Sequence, residues 1–267
     1  MTPEFHNSAT IRAPGALFEK GRGWARVPLR VRWGFVEHPA LGPTLIDTGY
    51  GPTVYGPARK SFGLNLYRRL FHAALRPEGQ IDAVLAQKGL SADDVQTIII
   101  SHLHADHVSE LKRFRRARLI GSKRAYEAVK ATGWQAPLKH GTFTELLPDD
   151  FAARLDDVEG LPTVELPDRL GQGFVLVPDL LSAVPLEGHA VGHFGLLFHE
   201  PNYLYAVDAH WVLTALEKDA PVTGMPKQIA DDVPAAEATL ARLRGFLAKG
   251  GQVGFAHDPN PDPFDAA

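Results

Sequence analysis

The chain has 267 residues, of which 45% are hydrophobic and 22% charged, a composition typical of globular proteins. Its formal net charge of −3 gives no electrostatic basis for binding nucleic acid or an anionic membrane. No apolar run approaches the roughly 20 residues that span a bilayer, and the first residues lack the features of a signal peptide. We therefore expect a cytoplasmic protein with no nucleic-acid or membrane partner.

The sequence contains no cysteine, which excludes thiolate ligands, thiol nucleophiles and disulfides. Any metal ion bound by this chain must therefore be held by His, Asp or Glu. The 12 histidines are numerous for a chain of this size, so the question is which of them are ligands.

Strand signals and turns alternate in the first part of the chain. Residues 25–36 have period-two character, and the apolar strand 44–46 ends in Asp47-Thr48-Gly49. The segment 50–80 contains glycines and many aromatic residues. A segment of this length between core elements predicts a lid or a pocket wall, and a partly helical surface excursion explains it equally well.

The remaining elements follow from the same periodicities. Helices are predicted at 81–88, 122–131 and 234–249, and strands at 97–100, 195–198, 203–207 and 252–256. The stretch 174–184 is predicted as strands interrupted by Pro178-Asp179. The chain twice shows a run of strands followed by a helix. This repeated order indicates two sheets packed face to face with helices outside. We expect an α+β protein with four αββα layers.

The most informative motif is an H-x-H-x-D-H cluster directly after the strand 97–100. It places His102, His104, Asp106 and His107 within six positions. Imidazole and carboxylate groups suit Zn²⁺ and related divalent ions, and a loop at a strand end brings several ligands to one point. Four ligands this close would crowd one tetrahedral ion, so the cluster predicts two metals.

Four sequence blocks, in order, resemble the metallo-β-lactamase superfamily over nearly the whole chain. They are the cluster, the block Gly188-His189-Ala190-Val191-Gly192-His193, Asp208 after Tyr205-Ala206-Val207, and His257. Asp47-Thr48-Gly49 matches the early strand-end motif of that superfamily. The resemblance implies its four-layer fold, in one domain spanning residues 1–267.

The resemblance also implies a ligand set. One metal would be held by His102, His104 and His189, and the other by Asp106, His107 and His257, with Asp208 bridging the two. Zinc is the expected metal, with iron, manganese or cobalt as alternatives. Two ions would share a bridging hydroxide, because metal-bound water ionises near pH 7, and Asp106 and Asp208 would carry the proton to the leaving group.

Further residues are expected around this centre. Asp47 is expected to orient a ligand histidine, although capping the turn after its strand explains it equally well. His193 is expected to be a structural hydrogen-bonding residue beside the metals. The candidates for the substrate pocket are His210, Trp211, Tyr50 and Phe62.

The missing cysteine and the bridging Asp208 argue against the β-lactamases of the superfamily and favour resemblance to its N-acyl homoserine lactonase-like group. Those lactonases commonly carry a tyrosine three residues beyond the bridging aspartate, where this chain has Trp211. We predict a hydrolase that uses a metal-bridging hydroxide to open a lactone or cleave a related ester.

Several alternatives stay open on the same ligands. The chain could hydrolyse phosphotriesters, phosphodiesters or thioesters, act as an iron-dependent oxidoreductase, or be a non-catalytic binding protein stabilised by metal. The expected partner is a small-molecule substrate, and self-association into a homodimer is also considered.

Overall fold

The computed structural model describes residues 1–131 and 141–266. Its first sheet has seven strands, in the spatial order β4-β1-β2-β3-β5-β6-β7. These strands are β1 (Glu4–Pro14), β2 (Arg26–His38), β3 (Gly42–Ile46), β4 (Ala73–Leu75), β5 (Thr97–Ile99), β6 (Arg118–Gly121) and β7 (Leu155–Asp157). The neighbouring strands β3, β5, β6 and β7 run parallel, whereas β1 and β2 pair antiparallel.

The second sheet has six strands, in the order β13-β12-β11-β10-β9-β8. They are β8 (Thr163–Leu166), β9 (Gly171–Val177), β10 (Leu181–Pro185), β11 (Phe194–Phe198), β12 (Tyr203–Tyr205) and β13 (Gln252–Gly254). Only β12 and β13 pair parallel in this sheet. Both sheets are therefore mixed.

The described helices are α1 (Pro52–Tyr55), α2 (Phe62–Leu70), α3 (Ile81–Gln87), α4 (Ala105–Val108), α5 (Lys123–Ala131), α6 (Phe151–Arg154), α7 (Leu213–Glu217), α8 (Gly224–Ile229) and α9 (Val233–Ala248). The Asp232 carboxylate caps α9 by accepting from the Ala235 amide at 3.0 Å, and Pro234 suits the first turn. In the described part of the chain, no helix has the length and apolarity to cross a membrane.

Alternating side chains of buried strands build the layers. In β5 and the residue after it, Ile98 and Ile100 pack towards the helices on the outer face, whereas Ile99 packs between the sheets. Both faces of the strand are thus buried, which explains its continuous apolar run. On the second sheet, Leu197 and Leu204 pack outward against α9. The predicted α+β sandwich of four αββα layers is confirmed.

The strands β1, β4, β6, β7 and β8 were not predicted from the sequence. A register shift between Asn7 and Ala9 interrupts the alternation of β1, so its period-two signal is broken. The segment 50–80 contains α1, α2 and the strand β4, which pairs with β1 at the edge of the first sheet. Its role as a lid, and the single domain over 1–267, stay predictions.

Candidate functional site

Five loops that follow strands converge at one edge of the sandwich. Asp47 follows β3 and the cluster follows β5, and these two parallel strands are linked where the Asp47 amide donates to the Ile99 carbonyl at 2.9 Å. Asp208 and His257 follow β12 and β13, which are also parallel, and His189 follows β10. Because parallel strands end at the same edge of a sheet, their loops deliver the side chains to one place.

Seven buried side chains form two groups that share Asp208. The first group is His102, His104, His189 and Asp208, and the second group is Asp106, His107, Asp208 and His257. Within each group one ligand atom per residue lies within 4.8 Å of all the others. The structure therefore brings together all seven residues that the sequence nominated as ligands.

The spacing of these atoms fits divalent metal ions. With metal–ligand bonds of 2.0–2.2 Å, neighbouring ligand atoms of a tetrahedral ion lie about 3.3 Å apart. The Asp208 Oδ2 atom lies 3.3 Å from His189 Nε2, and it lies at the same distance from His257 Nε2. In the second group, His107 Nε2 lies 3.6 Å from Asp106 Oδ2.

Unsatisfied buried atoms give a second test of the fit. Among the described residues, His102 Nε2, His107 Nε2 and Asp208 Oδ1 are buried and have no hydrogen-bond partner. Leaving a buried polar atom unpaired costs about 1–3 kcal/mol. A metal ion in each group would satisfy these atoms, so the donor set and its geometry support a dinuclear metal site.

Hydrogen bonds at the far side of three ligand rings, His102, His107 and His257, direct their metal-facing nitrogens. His107 Nδ1 donates to Asp47 Oδ2 at 2.8 Å, and His257 Nδ1 donates to the Arg30 carbonyl at 2.7 Å. Ser101 Oγ donates to Asp47, so it accepts from His102 Nδ1 at 3.0 Å. With the proton held on Nδ1, the Nε2 lone pair of each ring is free for a metal.

Asp47 is therefore linked to both groups. Its carboxylate accepts from His107, from Ser101 Oγ at 2.7 Å and from the Ser101 amide at 2.8 Å. Its side chain is fully buried, and its φ of 59° lies in the left-handed region, which Asp tolerates better than most residues. The geometry supports the orienting role and also explains why the strand turns here.

Opposite charges couple the carboxylates to the histidines of the second group. Burial opposes ionisation of Asp208, but His257 and His107 outweigh it and hold the pKa of Asp208 well below its usual range. Burial lowers the pKa of His257, yet the carboxylates of Asp208 and Asp106 raise it to about 10. The second group thus attracts positive charge, whether as protons or as a metal ion.

His193 and His210 are buried near the site. His193 Nδ1 donates to the Leu186 carbonyl at 2.8 Å, and its Nε2 accepts from the Asp208 amide at 3.4 Å. Burial lowers the pKa of His193 to about 3, so it is a neutral residue that supports the loop of Asp208. His210 Nδ1 accepts from the Val212 amide at 3.2 Å and does not line the cavity described next.

A cavity of about 880 Å³ opens onto both groups and is lined by His104, Asp106, Asp208 and His257. Its further wall is largely apolar and includes Ile11, Leu17, Leu29, Leu70, Met225 and Ile229. The volume lies in the usual range for small-molecule sites. Tyr50 and Trp211 line this cavity, whereas Phe62 is 82% exposed and is not part of its lining.

Tyr67 also lines the cavity but was not nominated from the sequence. It belongs to α2, whose buried residues are Leu64 and Tyr67, three positions apart. That helical spacing is a signal that could have separated Tyr67 from the exposed Phe62. His140, considered a surface or packing residue from the sequence, lies outside the described residues.

A sequence profile described as Metallo-beta-lactamase superfamily matches residues 26–249. The chain belongs to the metallo-β-lactamase superfamily. The resemblance stated from the sequence blocks is thereby confirmed, and membership of this superfamily together with the two His/Asp groups supports a dinuclear metal site.

Curated relatives of this superfamily member include several N-acyl homoserine lactonases. The chain is 27% identical over 261 residues to the N-acyl homoserine lactonase AttM of Agrobacterium fabrum, covering 96% of this chain and 88% of that protein. It is 25% identical over 235 residues to an N-acyl homoserine lactonase of Bacillus cereus, covering 85% and 80%.

Solved structures share the fold of this superfamily member. A mutant of the AiiA protein of B. thuringiensis, with N-decanoyl-L-homoserine at its active site, superposes with a TM-score of 0.71 at 22% identity, covering 97% of this chain and 94% of that one. AidC, a dizinc quorum-quenching lactonase, gives a TM-score of 0.66 at 15% identity, with 97% and 88% covered.

Proposed function

We propose that this protein is a dinuclear metal-dependent hydrolase that opens lactone rings bearing an apolar acyl chain, or cleaves related esters. The observation that carries the proposal is that two buried His/Asp groups, joined by Asp208, open onto a cavity whose further wall is largely apolar. The polar end suits a reacting carbonyl group, and the apolar wall suits an acyl chain. The lactonase relatives agree with this substrate class.

The ligand roles proposed for the chain follow the two groups. His102, His104 and His189 would hold one ion, Asp106, His107 and His257 would hold the other, and Asp208 would contact both. We propose zinc, because nitrogen and carboxylate ligands in tetrahedral spacing suit it, although iron, manganese and cobalt accept the same donors. When bound, the two ions would act as Lewis acids and make hydroxide available near neutral pH.

The carboxylates would move the proton. Asp106 and Asp208 both line the cavity, so each can accept a proton from the attacking water and return it to the alkoxide oxygen of the leaving group. Asp47 and the Arg30 carbonyl would keep His107 and His257 in the orientation that presents Nε2. Trp211, whose ring lies 5.6 Å from that of His257, would form part of the substrate wall.

The experiment is a substrate panel on purified protein loaded with zinc, with metal content measured by mass spectrometry. We expect two metals per chain and hydrolysis of N-acyl homoserine lactones, detected as acid release, with weaker cleavage of simple esters. His104→Ala should abolish turnover, because it removes a ligand of the first group. His38→Ala is the matched control, because His38 lies on the hairpin between β2 and β3 and is expected to leave turnover unchanged.

Each alternative has a distinct result in this panel. If the protein hydrolyses phosphoesters or thioesters but neither lactones nor simple esters, the proposed substrate class is wrong. Iron in the purified protein with oxygen consumption would indicate an oxidoreductase. Two bound metals without any turnover would indicate a metal-stabilised binding protein. A cytoplasmic location and self-association into a homodimer are further proposals, which rest on the sequence alone.

A further inference from the structure

Two tyrosine hydroxyls meet at the wall of the cavity beside the metal groups. The hydroxyl oxygens of Tyr50 and Tyr67 lie 2.8 Å apart and share a hydrogen bond. Both side chains are buried, and both line the cavity that His104 and Asp106 also line. Tyr50 comes from the loop after β3 and Tyr67 from α2, so the pair forms only in the folded chain.

The Tyr67 hydroxyl lies against the backbone that supports His104. A side-chain carbon placed on Gly141 would lie 3.5 Å from the Tyr67 hydroxyl oxygen, so Gly141 lies beside the phenol. The Gly141 carbonyl accepts from the amide of Ala105, next to His104, at 2.8 Å. The phenol therefore lies beside backbone that is hydrogen-bonded next to His104.

The hydrogen-bond count leaves one proton of the pair available. Two hydroxyl protons share one bond, and among the described residues neither oxygen has another hydrogen bond of normal geometry. Burial raises the pKa of Tyr67 well above its ordinary value, and the carboxylate of Asp106 adds to the effect. Tyr67 is thus a neutral phenol, which can donate a hydrogen bond without losing its proton.

Trp211, which also lines the cavity, has one hydrogen-bond donor in its side chain, the indole Nε1 atom. Its indole Nε1 atom is buried out of reach of solvent and has no partner among the described residues. Apart from Thr10 on β1, the hydroxyl side chains among the described residues of the cavity lining are Tyr50 and Tyr67. Of these hydroxyls, that of Tyr67 lies beside the backbone next to His104.

We propose that Tyr67 is a catalytic residue whose hydroxyl donates to the carbonyl oxygen of the substrate, and that Tyr50 positions it by donating to the Tyr67 oxygen. This inference rests on the proposed lactone or ester hydrolysis. When hydroxide attacks the carbonyl carbon, a C–O bond forms and the carbonyl π pair moves to the oxygen that Tyr67 faces. The carbonyl then re-forms, the bond to the ring oxygen breaks, and the leaving alkoxide takes the proton released by the attacking water.

The expected effect of Tyr67→Phe is a large loss of turnover without loss of metal. Removing one donor to a developing oxyanion lowers kcat by about 10²–10³ in enzymes that rely on hydrogen bonds alone. Because two metals would share the stabilisation here, we expect a loss of about 10- to 100-fold. Tyr50→Phe leaves the Tyr67 hydroxyl in place and should cause a smaller loss.

Tyr55→Phe is the matched control in the same aromatic cluster. The Tyr55 ring packs edge-on against Tyr50 at 5.1 Å, but its hydroxyl donates to the Phe71 carbonyl at 2.8 Å and is not part of the cavity lining. The same loss of a hydroxyl at this position should leave kcat within about twofold, as expected where the lost bond does not face substrate.

The experiment compares zinc-loaded wild type with these three variants. Turnover of an N-acyl homoserine lactone is measured together with metal content and with binding of the corresponding lactam, which presents the same carbonyl but resists opening. We expect Tyr67→Phe to retain two metals and to bind the lactam about 3- to 10-fold more weakly, as for the loss of one neutral hydrogen bond.

The outcomes separate this inference from the proposed function. Inactive wild type with two metals would refute the proposed hydrolysis. Active wild type together with a Tyr67→Phe variant that matches Tyr55→Phe in turnover and lactam affinity would overturn the role of Tyr67 alone. Loss of metal from Tyr67→Phe would make Tyr67 a structural support of the first group and would also overturn its catalytic role.

Discussion

Replacing Asp47 by Asn should weaken both metal groups while exchanging only one carboxylate oxygen for an NH₂ group. The Asp47 carboxylate accepts three hydrogen bonds, from His107 Nδ1, Ser101 Oγ and the Ser101 amide. Asn offers one oxygen and an amide nitrogen that can only donate. Whichever way the amide is turned, at least one of these buried donors then faces another donor.

The magnitude follows from what each orientation loses. An amide oxygen facing His107 would leave the Ser101 N–H unpaired, at a cost of about 1–3 kcal/mol in stability. The loss of the negative charge also makes His107 a poorer ligand, and such outer partners contribute about 10- to 100-fold in metal affinity. We therefore expect the second group to lose about 10- to 100-fold in zinc affinity, and the first group less, through Ser101 and His102.

The assay is stepwise zinc binding to the apoprotein in competition with a chelating dye, combined with urea unfolding of the apoprotein. Asp179→Asn is the matched control. Asp179 is exposed in the turn between β9 and β10, and its φ of 59° equals that of Asp47. Because Asn also tolerates this backbone region, the control should keep both zinc affinities and the stability of the wild type.

One result would refute the reasoning. If Asp47→Asn binds both zinc ions within twofold of the wild type, Asp47 does not orient the ligands. A lower free energy of unfolding together with unchanged zinc affinity would assign Asp47 to the turn after β3, the alternative that the sequence left open.

Three further predictions concern the second group and the cavity. Because the pKa of His257 is about 10 in the absence of metal, this ring is charged below that pH and must release its proton to bind zinc. Zinc affinity should therefore rise as pH increases from 6 to 9, and calorimetry in buffers of different ionisation enthalpy at pH 7 should detect proton release; its absence would contradict the assignment. Arg32→Met should lower the free energy of unfolding by about 3–5 kcal/mol and weaken the second zinc, because buried Arg32 pairs with Asp265 and binds the backbone beside His257. Urea unfolding should show a smaller effect for Arg30→Met, which removes one part-exposed ion pair. Met225→Trp should lower kcat/KM for decanoyl lactones about tenfold and for butanoyl lactones less than about twofold, because the larger ring fills the apolar wall; equal losses for both chain lengths would place the acyl chain elsewhere.

The metal groups could be predicted because their signals are local. Four ligands lie within the six residues 102–107 shortly after β5. Asp208 and His257 each lie three residues beyond the end of a strand, and His189 follows Gly188. His or Asp shortly after a strand indicates a loop at the edge of a sheet, where functional residues are commonly placed. In a sandwich, several such loops can lie close together at one edge. The four layers were also predictable from local signals. The period and the length of apolar runs indicate which segments are helices and strands and which of their faces are buried.

The cavity lining could be predicted only in part, because the residue composition of the segment 50–80 does not reveal which of its side chains face the cavity. The segment 50–80 has aromatic residues at several positions, yet Phe62 is exposed and Tyr67 is buried in the same helix. The hydrogen bond between Tyr50 and Tyr67 joins residues 17 positions apart. Its formation depends on how α2 packs on the loop after β3, which is a tertiary property and leaves no periodic trace.

The position of the shared carboxylate depends on packing that opposes a local preference. Val207, directly before Asp208, has a φ of 52°, a region that β-branched residues rarely adopt. Such a conformation costs on the order of 1–3 kcal/mol and persists only where the surroundings determine it. The Val207 side chain is fully buried between the sheets, and its carbonyl accepts from the Ala256 amide at 2.9 Å, next to His257. Contacts of the sandwich core thus fix where Asp208 lies relative to both groups, and residue type alone would have predicted a different backbone there.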